Sequence, residues 1–214
     1  RPSDLYTLPV VGSVRCVDEH VQVDGSQIEL FDDTREERAI DVSTLPRAAI
    51  PTRPASSTFT EAQLRAALAA EMAVPLDRTF SLRQVRSIRE VRELSPVIEL
   101  SAITFPSGSA AIQPDQSREL AILGTVIKDL IVERPGEVFL IEGHTDAVGA
   151  AGYNLALSDR RAETVALALT QYFDVPPTNL VTQGYGESLL KVQTLEAEQA
   201  NRRATVRNIT QLLR

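Results

Sequence analysis

Hydrophobic and polar positions are patterned differently in the two halves of the chain. In the first half, Val21, Val23, Ile28 and Leu30 alternate with polar residues around Asp24-Gly25. That predicts a β-hairpin near 21–30, because a tight turn needs the positive φ that Gly supplies. Val10 to Val17, after Pro9, reads as a further strand with Cys16 half-buried on it. Pro46, Pro51 and Pro54 with Ser56, Ser57 and Thr58 mark a linker over 46–59. Helices are expected over 60–72 and 81–94. Thr60 with Gln63, and Ser81 with Gln84, have capping-box spacing ahead of apolar stripes at Leu64, Ala67, Leu68 and Met72 and at Leu82, Val85, Ile88 and Val91. Arg83, Arg86, Arg89, Glu90, Arg92 and Glu93 fall on the opposite face of the second helix. With Arg86–Glu90 and Arg89–Glu93 spaced for ion pairs, that face is expected to be solvated.

From Val97 onward the pattern becomes strand, helix, strand, helix, strand. Val97 to Phe105 reads as a strand, and Pro114 suits the first turn of a helix. The stripe of that helix is Leu120, Leu123, Gly124, Ile127, Leu130 and Ile131, and Arg134-Pro135-Gly136 stops it. Val138 to Ile141 is a continuous apolar run of the kind seen in strands buried on both faces. A polar, small-residue loop from Gly143 to Gly152 follows. A helix from Tyr153 to Phe173 comes next, with Leu155, Ala162, Val165, Ala166, Leu169 and Phe173 as its core face. Leu180 to Gly186 reads as a strand and turn, Glu196 to Asn201 as a short helix and Ala204 to Ile209 as the last strand. The expected organisation is an α+β module over 1–95 and an α/β domain with a mixed sheet over 96–214.

Composition narrows the function classes. The 214 residues are 43% hydrophobic and carry a net charge of −7, which argues against non-specific nucleic-acid binding. One Cys excludes a disulfide scaffold. It leaves intermolecular pairing as the alternative to a packed Cys16, and Arg15 does not suit a lipid-anchor cysteine. No leader-like pattern follows Arg1, and no run of about 20 apolar residues is present. With two His and one Cys, metal ligation lacks supporting spacing, and no cofactor is expected. Neither a nucleophile elbow nor a phosphate-binding loop occurs, so no enzyme activity is expected. His144 is expected to hold the loop or pack beneath it.

Candidate chemistry lies in the loop after the buried strand. Asp146 sits in that loop, while Asn154 and Arg161 are seven residues apart and so project from one helix face. Helical side chains lean toward the N-terminus, which aims that face at the loop. An acid and a guanidinium brought together in this way can pair with each other, locking loop to helix. They can equally grip a zwitterion, the carboxylate taking an ammonium and the guanidinium a carboxylate.

Five pieces of the second half, Gly143-His144-Thr145-Asp146, Tyr153-Asn154 with Leu157-Ser158, Arg160-Arg161-Ala162, Gly184-Tyr185-Gly186-Glu187 and Asn201-Arg202-Arg203, occur in a characteristic order. Together they resemble the OmpA-like peptidoglycan-binding domain family over roughly Val97 to Ile209. The resemblance implies a non-catalytic domain that binds the diaminopimelate of the peptidoglycan stem peptide, in the periplasm or at the outer membrane of a Gram-negative bacterium. It further implies that Asp146 takes the ammonium and Arg161 the carboxylate, that Asn154 and Arg202 support them, and that Thr145 and Val148 shape the loop. Val148 stands where such loops often carry Thr or Ser, and Ala150-Ala151 makes this loop less polar. The alternative is an interaction module of an envelope, secretion or motility complex with a degenerate site. An envelope partner docking through residues 1–95, and a dimer, stay open.

Overall fold

The structure, a computed structural model, describes residues 60–70, 76 and 78–214. The expected hairpin near 21–30, the strand carrying Cys16, the linker over 46–59 and the end of the first helix, including Met72, lie outside the described residues.

Both capping boxes form. Thr60 Oγ1 accepts from the Gln63 backbone amide, the Thr60 amide donates to Gln63 Oε1, and Ser81 and Gln84 repeat the exchange. Helix α1 runs over Glu61–Ala69 and buries Leu64 and Leu68. The single helix expected over 81–94 is instead two, α2 (Leu82–Ser87) and α3 (Arg89–Arg92), broken at Ile88, whose φ of −100° and ψ of 111° are extended. The break has two consequences. Arg89 still reaches Glu93 at 2.7 Å, but Arg86 is turned away from Glu90 and donates to Gln183 Oε1. Arg92, expected on the solvated face, is 3% exposed.

Strand β1 (Ile98–Thr104) follows, then a 3-10 turn at Pro114–Gln116 and α4 (Ser117–Glu133). All six predicted stripe positions of α4 are buried. Next come β2 (Phe139–Gly143), α5 (Ala151–Phe173), β3 (Leu180–Gly184), a 3-10 turn at Gln199–Asn201 where a short helix was expected, and β4 (Arg203–Asn208). A last turn of helix, α6 (Thr210–Leu213), was not anticipated. The sheet order is β1-β4-β2-β3, with β4 antiparallel to both neighbours and β2 parallel to β3. The expected mixed sheet is therefore present.

Alternation along the central strands feeds two cores. Phe139 and Ile141 of β2, with Ala204 and Val206 of β4, join α1, α4 and α5. Leu140 faces the other way, with Phe80, Val85, Val91, Leu94, Ile209 and Leu212. Helices 61–69 and 82–92 thus pack into cores shared with the strands that follow them.

On α5 the buried stripe is Asn154, Leu157, Ser158, Arg161, Ala162, Val165, Ala168 and Leu169. Leu155, expected in the core, is 47% exposed because it lies at the edge of a stripe that in the N-terminal turns is centred on Asn154, Leu157 and Ser158. Two glycines allow the strands to meet this helix closely. A Cβ on Gly143 would lie 1.9 Å from the Ser158 carbonyl oxygen, and one on Gly184 would lie 2.3 Å from the Asp159 nitrogen.

Candidate functional site: the loop between β2 and α5

The loop leaves the sheet at Gly143 and joins α5 at Ala151. Its first residues are tied to both sides of the sheet end. The His144 amide donates to Arg203 O at 3.0 Å, and the Thr145 amide to Gly186 O at 2.9 Å. The segment 184–187 that receives Thr145 is itself fixed to α5. Ser158 Oγ accepts from the Gly186 amide at 2.8 Å, and Asp159 Oδ1 accepts from the Gly184 amide at 2.6 Å. Gly186 turns there with φ of +53°, a conformation that favours Gly.

Asn154 and Arg161 do share the face that meets the loop. Asn154 Nδ2 lies 3.2 Å from Val148 O and 3.4 Å from Asp146 O, and donates to Glu187 Oε2 at 2.5 Å. Arg161 is 0% exposed and spends its guanidinium on three backbone carbonyls. Nε donates to Ser109 O at 2.9 Å, Nη1 to His144 O at 2.7 Å and Nη2 to Pro106 O at 3.1 Å. The guanidinium carbon also stands 5.0 Å from the Phe105 ring centroid. Burial lowers the Arg161 pKa to about 10, although the nearby Asp146 charge pulls it upward.

Asp146 is buried and its carboxylate pairs with Arg202, whose Nη1 donates to Oδ2 at 2.8 Å. Arg202 Nε meanwhile donates to Phe105 O at 2.9 Å. The direct Asp146–Arg161 bridge that the spacing allowed is therefore not the pairing found. Thr145 is buried, with Oγ1 lacking a hydrogen-bond partner among the described residues, and Val148 is half exposed at the rim.

His144 packs beneath the loop. Its Nε2 is 3.3 Å from Thr205 Oγ1, its ring stacks on Tyr185 with centroids 6.1 Å apart, and Nδ1 is buried without a partner among the described residues. Burial, followed by the charges of Arg203, Arg207 and Arg92, holds its pKa well below the usual value. Among the described residues no group of three or more His, Cys, Asp or Glu side chains is placed to hold a metal ion.

Glu187 was not singled out from the sequence, nor were the anchoring roles of Ser158 and Asp159. Ser158 and Glu187 lie within the quoted motifs, and Asp159 falls between two of them. Their contacts cross 25 to 33 residues and depend on the turn at Gly186.

A mixed four-stranded sheet with α4 and α5 on one face, and an acid–guanidinium loop at the end of its central strand, defines an OmpA-like α/β domain. The OmpA family model matches residues 104–204. The chain is 34% identical over 107 residues to the probable lipoprotein YiaD of Escherichia coli, covering 49% of this chain and 46% of that protein. It is 30% identical over 108 residues to the outer-membrane lipoprotein YfiB of Pseudomonas aeruginosa, covering 50% and 61%. Against outer membrane porin F of the same organism it is 37% identical over 79 residues, covering 36% and 23%. Among solved structures it is similar to the peptidoglycan-associated lipoprotein from Burkholderia pseudomallei. That pair has 26% identity and a TM-score of 0.42, over 50% of this chain and 86% of that one. The chain spans less than two thirds of the length of each of these curated relatives.

Proposed function

We propose that the protein binds peptidoglycan without catalysing a reaction, through the diaminopimelate of the stem peptide, and tethers an envelope component to the cell wall. The match of residues 104–204 to the OmpA family model supports the class of ligand. The names of two relatives, an outer membrane porin and an outer-membrane lipoprotein, support a place in the periplasm or at the outer membrane of a Gram-negative bacterium.

The observation that carries the finer reading is the convergence of Asp146, Asn154, Arg161 and Arg202 on one short loop. Asp146 Oδ2 is engaged by Arg202, which leaves Oδ1 to accept from an ammonium. A guanidinium has five N–H donors and Arg161 gives three to carbonyls, so two remain for a carboxylate. Asn154 and Arg202 hold the loop in shape, and Thr145 and Val148 border it. A Lys-type stem peptide lacks the second carboxylate and would leave those donors unpaired, which is the basis for discrimination.

The second reading is an interaction module of an envelope complex whose site is closed on itself. The complete burial of Arg161 favours it. Co-sedimentation with sacculi separates the two. On the first reading, wild type pellets with diaminopimelate-type walls and not with Lys-type walls, and Asp146→Asn stays soluble. On the second, wild type stays in the supernatant with both.

A further inference from the structure

Outside the residues matched by the family, α3 carries a buried guanidinium that reaches the support of the ligand loop. We propose that Arg92 is a positioning residue for that loop, acting through Tyr185; the inference rests on the loop being the ligand site. Arg92 stands with its guanidinium carbon 4.0 Å from the Tyr185 ring centroid, its Nε 3.1 Å from Glu142 Oε1 and its Nη1 donating to Arg86 O at 3.2 Å. The Tyr185 hydroxyl donates to the same Arg86 carbonyl at 3.1 Å. Tyr185 is thus held by a cation over its ring and by the hydrogen bond its hydroxyl donates to the α2–α3 segment.

Tyr185 belongs to the segment that carries the loop. Its amide donates to Gly143 O, its neighbour Gly186 accepts from the Thr145 amide, and Glu187 accepts from Asn154. Ser158 and Asp159 pin this strap on the α5 side of the sheet, and Arg92 holds it on the other.

Glu142 does not depend on Arg92 alone. Arg207 Nε donates to Oε1 at 3.1 Å and Thr205 Oγ1 donates to Oε2 at 2.6 Å. Removing Arg92 therefore leaves the buried carboxylate neutralised, and the loss is concentrated on the Tyr185 strap.

The test uses the full chain as wild type, Arg92→Leu and Arg92→Lys, read by residue-resolved amide hydrogen exchange without ligand and by sedimentation with sacculi. In Arg92→Leu the Thr145 and Tyr185 amides should exchange about 10-fold faster, while those of Leu123 and Ile127 in α4 change less than about 2-fold. Arg92→Lys, which keeps the cation over the ring, should recover most of that protection. Retention on sacculi should fall and recover in the same order. Uniform acceleration across the domain, unchanged exchange at Thr145 and Tyr185, or failure of Lys to restore protection would overturn the proposal. If wild type does not sediment, the ligand reading fails, and the exchange pattern still decides the role of Arg92.

Discussion

Asp146 and Arg202 form the ion pair of the loop between β2 and α5, closing at 2.8 Å between residues 56 positions apart. The bond ties the loop after β2 to the entry of β4, and it frees Arg161 for backbone carbonyls. Both partners are largely buried, which puts the pair between the surface and core regimes of ion-pair energetics.

Asp146→Asn keeps the shape of the side chain and removes its charge. It should abolish sedimentation with diaminopimelate-type sacculi and lower unfolding stability by about 1–3 kcal/mol, since Arg202 is left less well paired. Equilibrium denaturation of the same samples gives the second number. Unchanged sedimentation would sink the ammonium role.

Arg161→Met should cost more in stability than any substitution at Asp146. It strands the carbonyls of Pro106, Ser109 and His144, and about 3–5 kcal/mol is expected from deleting a buried charged donor of this kind. A urea midpoint equal to that of wild type would show that those carbonyls find other partners. Loss of binding in this variant alone is therefore weak support for ligand contact.

The buried His144 makes stability depend on pH. Its folded pKa is depressed below the ordinary 6.5, so the unfolded chain takes up the proton first. Stability conferred by the neutral ring is fully present above about pH 6.5 and falls as pH drops below it, by up to about 1.4 kcal/mol per unit. Denaturation at pH 7.5, 6.5 and 5.5 should show this slope, and His144→Gln should flatten it. Equal slopes would assign the effect to other groups.

Two glycines should be intolerant of the smallest side chain while a third is not. Gly143→Ala and Gly184→Ala each force a methyl into the backbone or side chains of Ser158 and Asp159, and each should cost about 1–3 kcal/mol or more. Gly152, in the first turn of α5, has nothing within 4 Å of its would-be Cβ, and Gly152→Ala should be neutral or stabilising by about 0.4–1 kcal/mol. Thermal unfolding of the three variants checks the contrast.

What could be read from the sequence was what repeats locally. The α4 stripe, the apolar run of β2 and both capping boxes follow from spacing alone, and so does the shared face of Asn154 and Arg161. What could not be read depends on register across distance. The partner of Asp146 was not visible because Arg202 reaches the loop only after β4 is inserted beside β2. Arg92 was placed in solvent because an unbroken helix through Ile88 would put it there. The extended backbone at Ile88 turns it inward instead. Seven-residue steps from Leu155 to Ala162 to Leu169 put Leu155 in the core, but in the turns nearest the loop the inner face is centred on Asn154, Leu157 and Ser158 and leaves Leu155 at its edge.

The sheet order also bears on how the chain can fold. β1 and β2 are not neighbours; the strand between them, β4, is the last to be made, ending six residues before Arg214. Until residue 208 is available, β1 has no partner and the two cores stay open along one side. Assembly must then close loops of roughly 100 residues, which favours slow, all-or-none acquisition of structure over growth from the N-terminus. A chain stopped at residue 202 would lack the common neighbour of both strands and should remain protease-sensitive throughout.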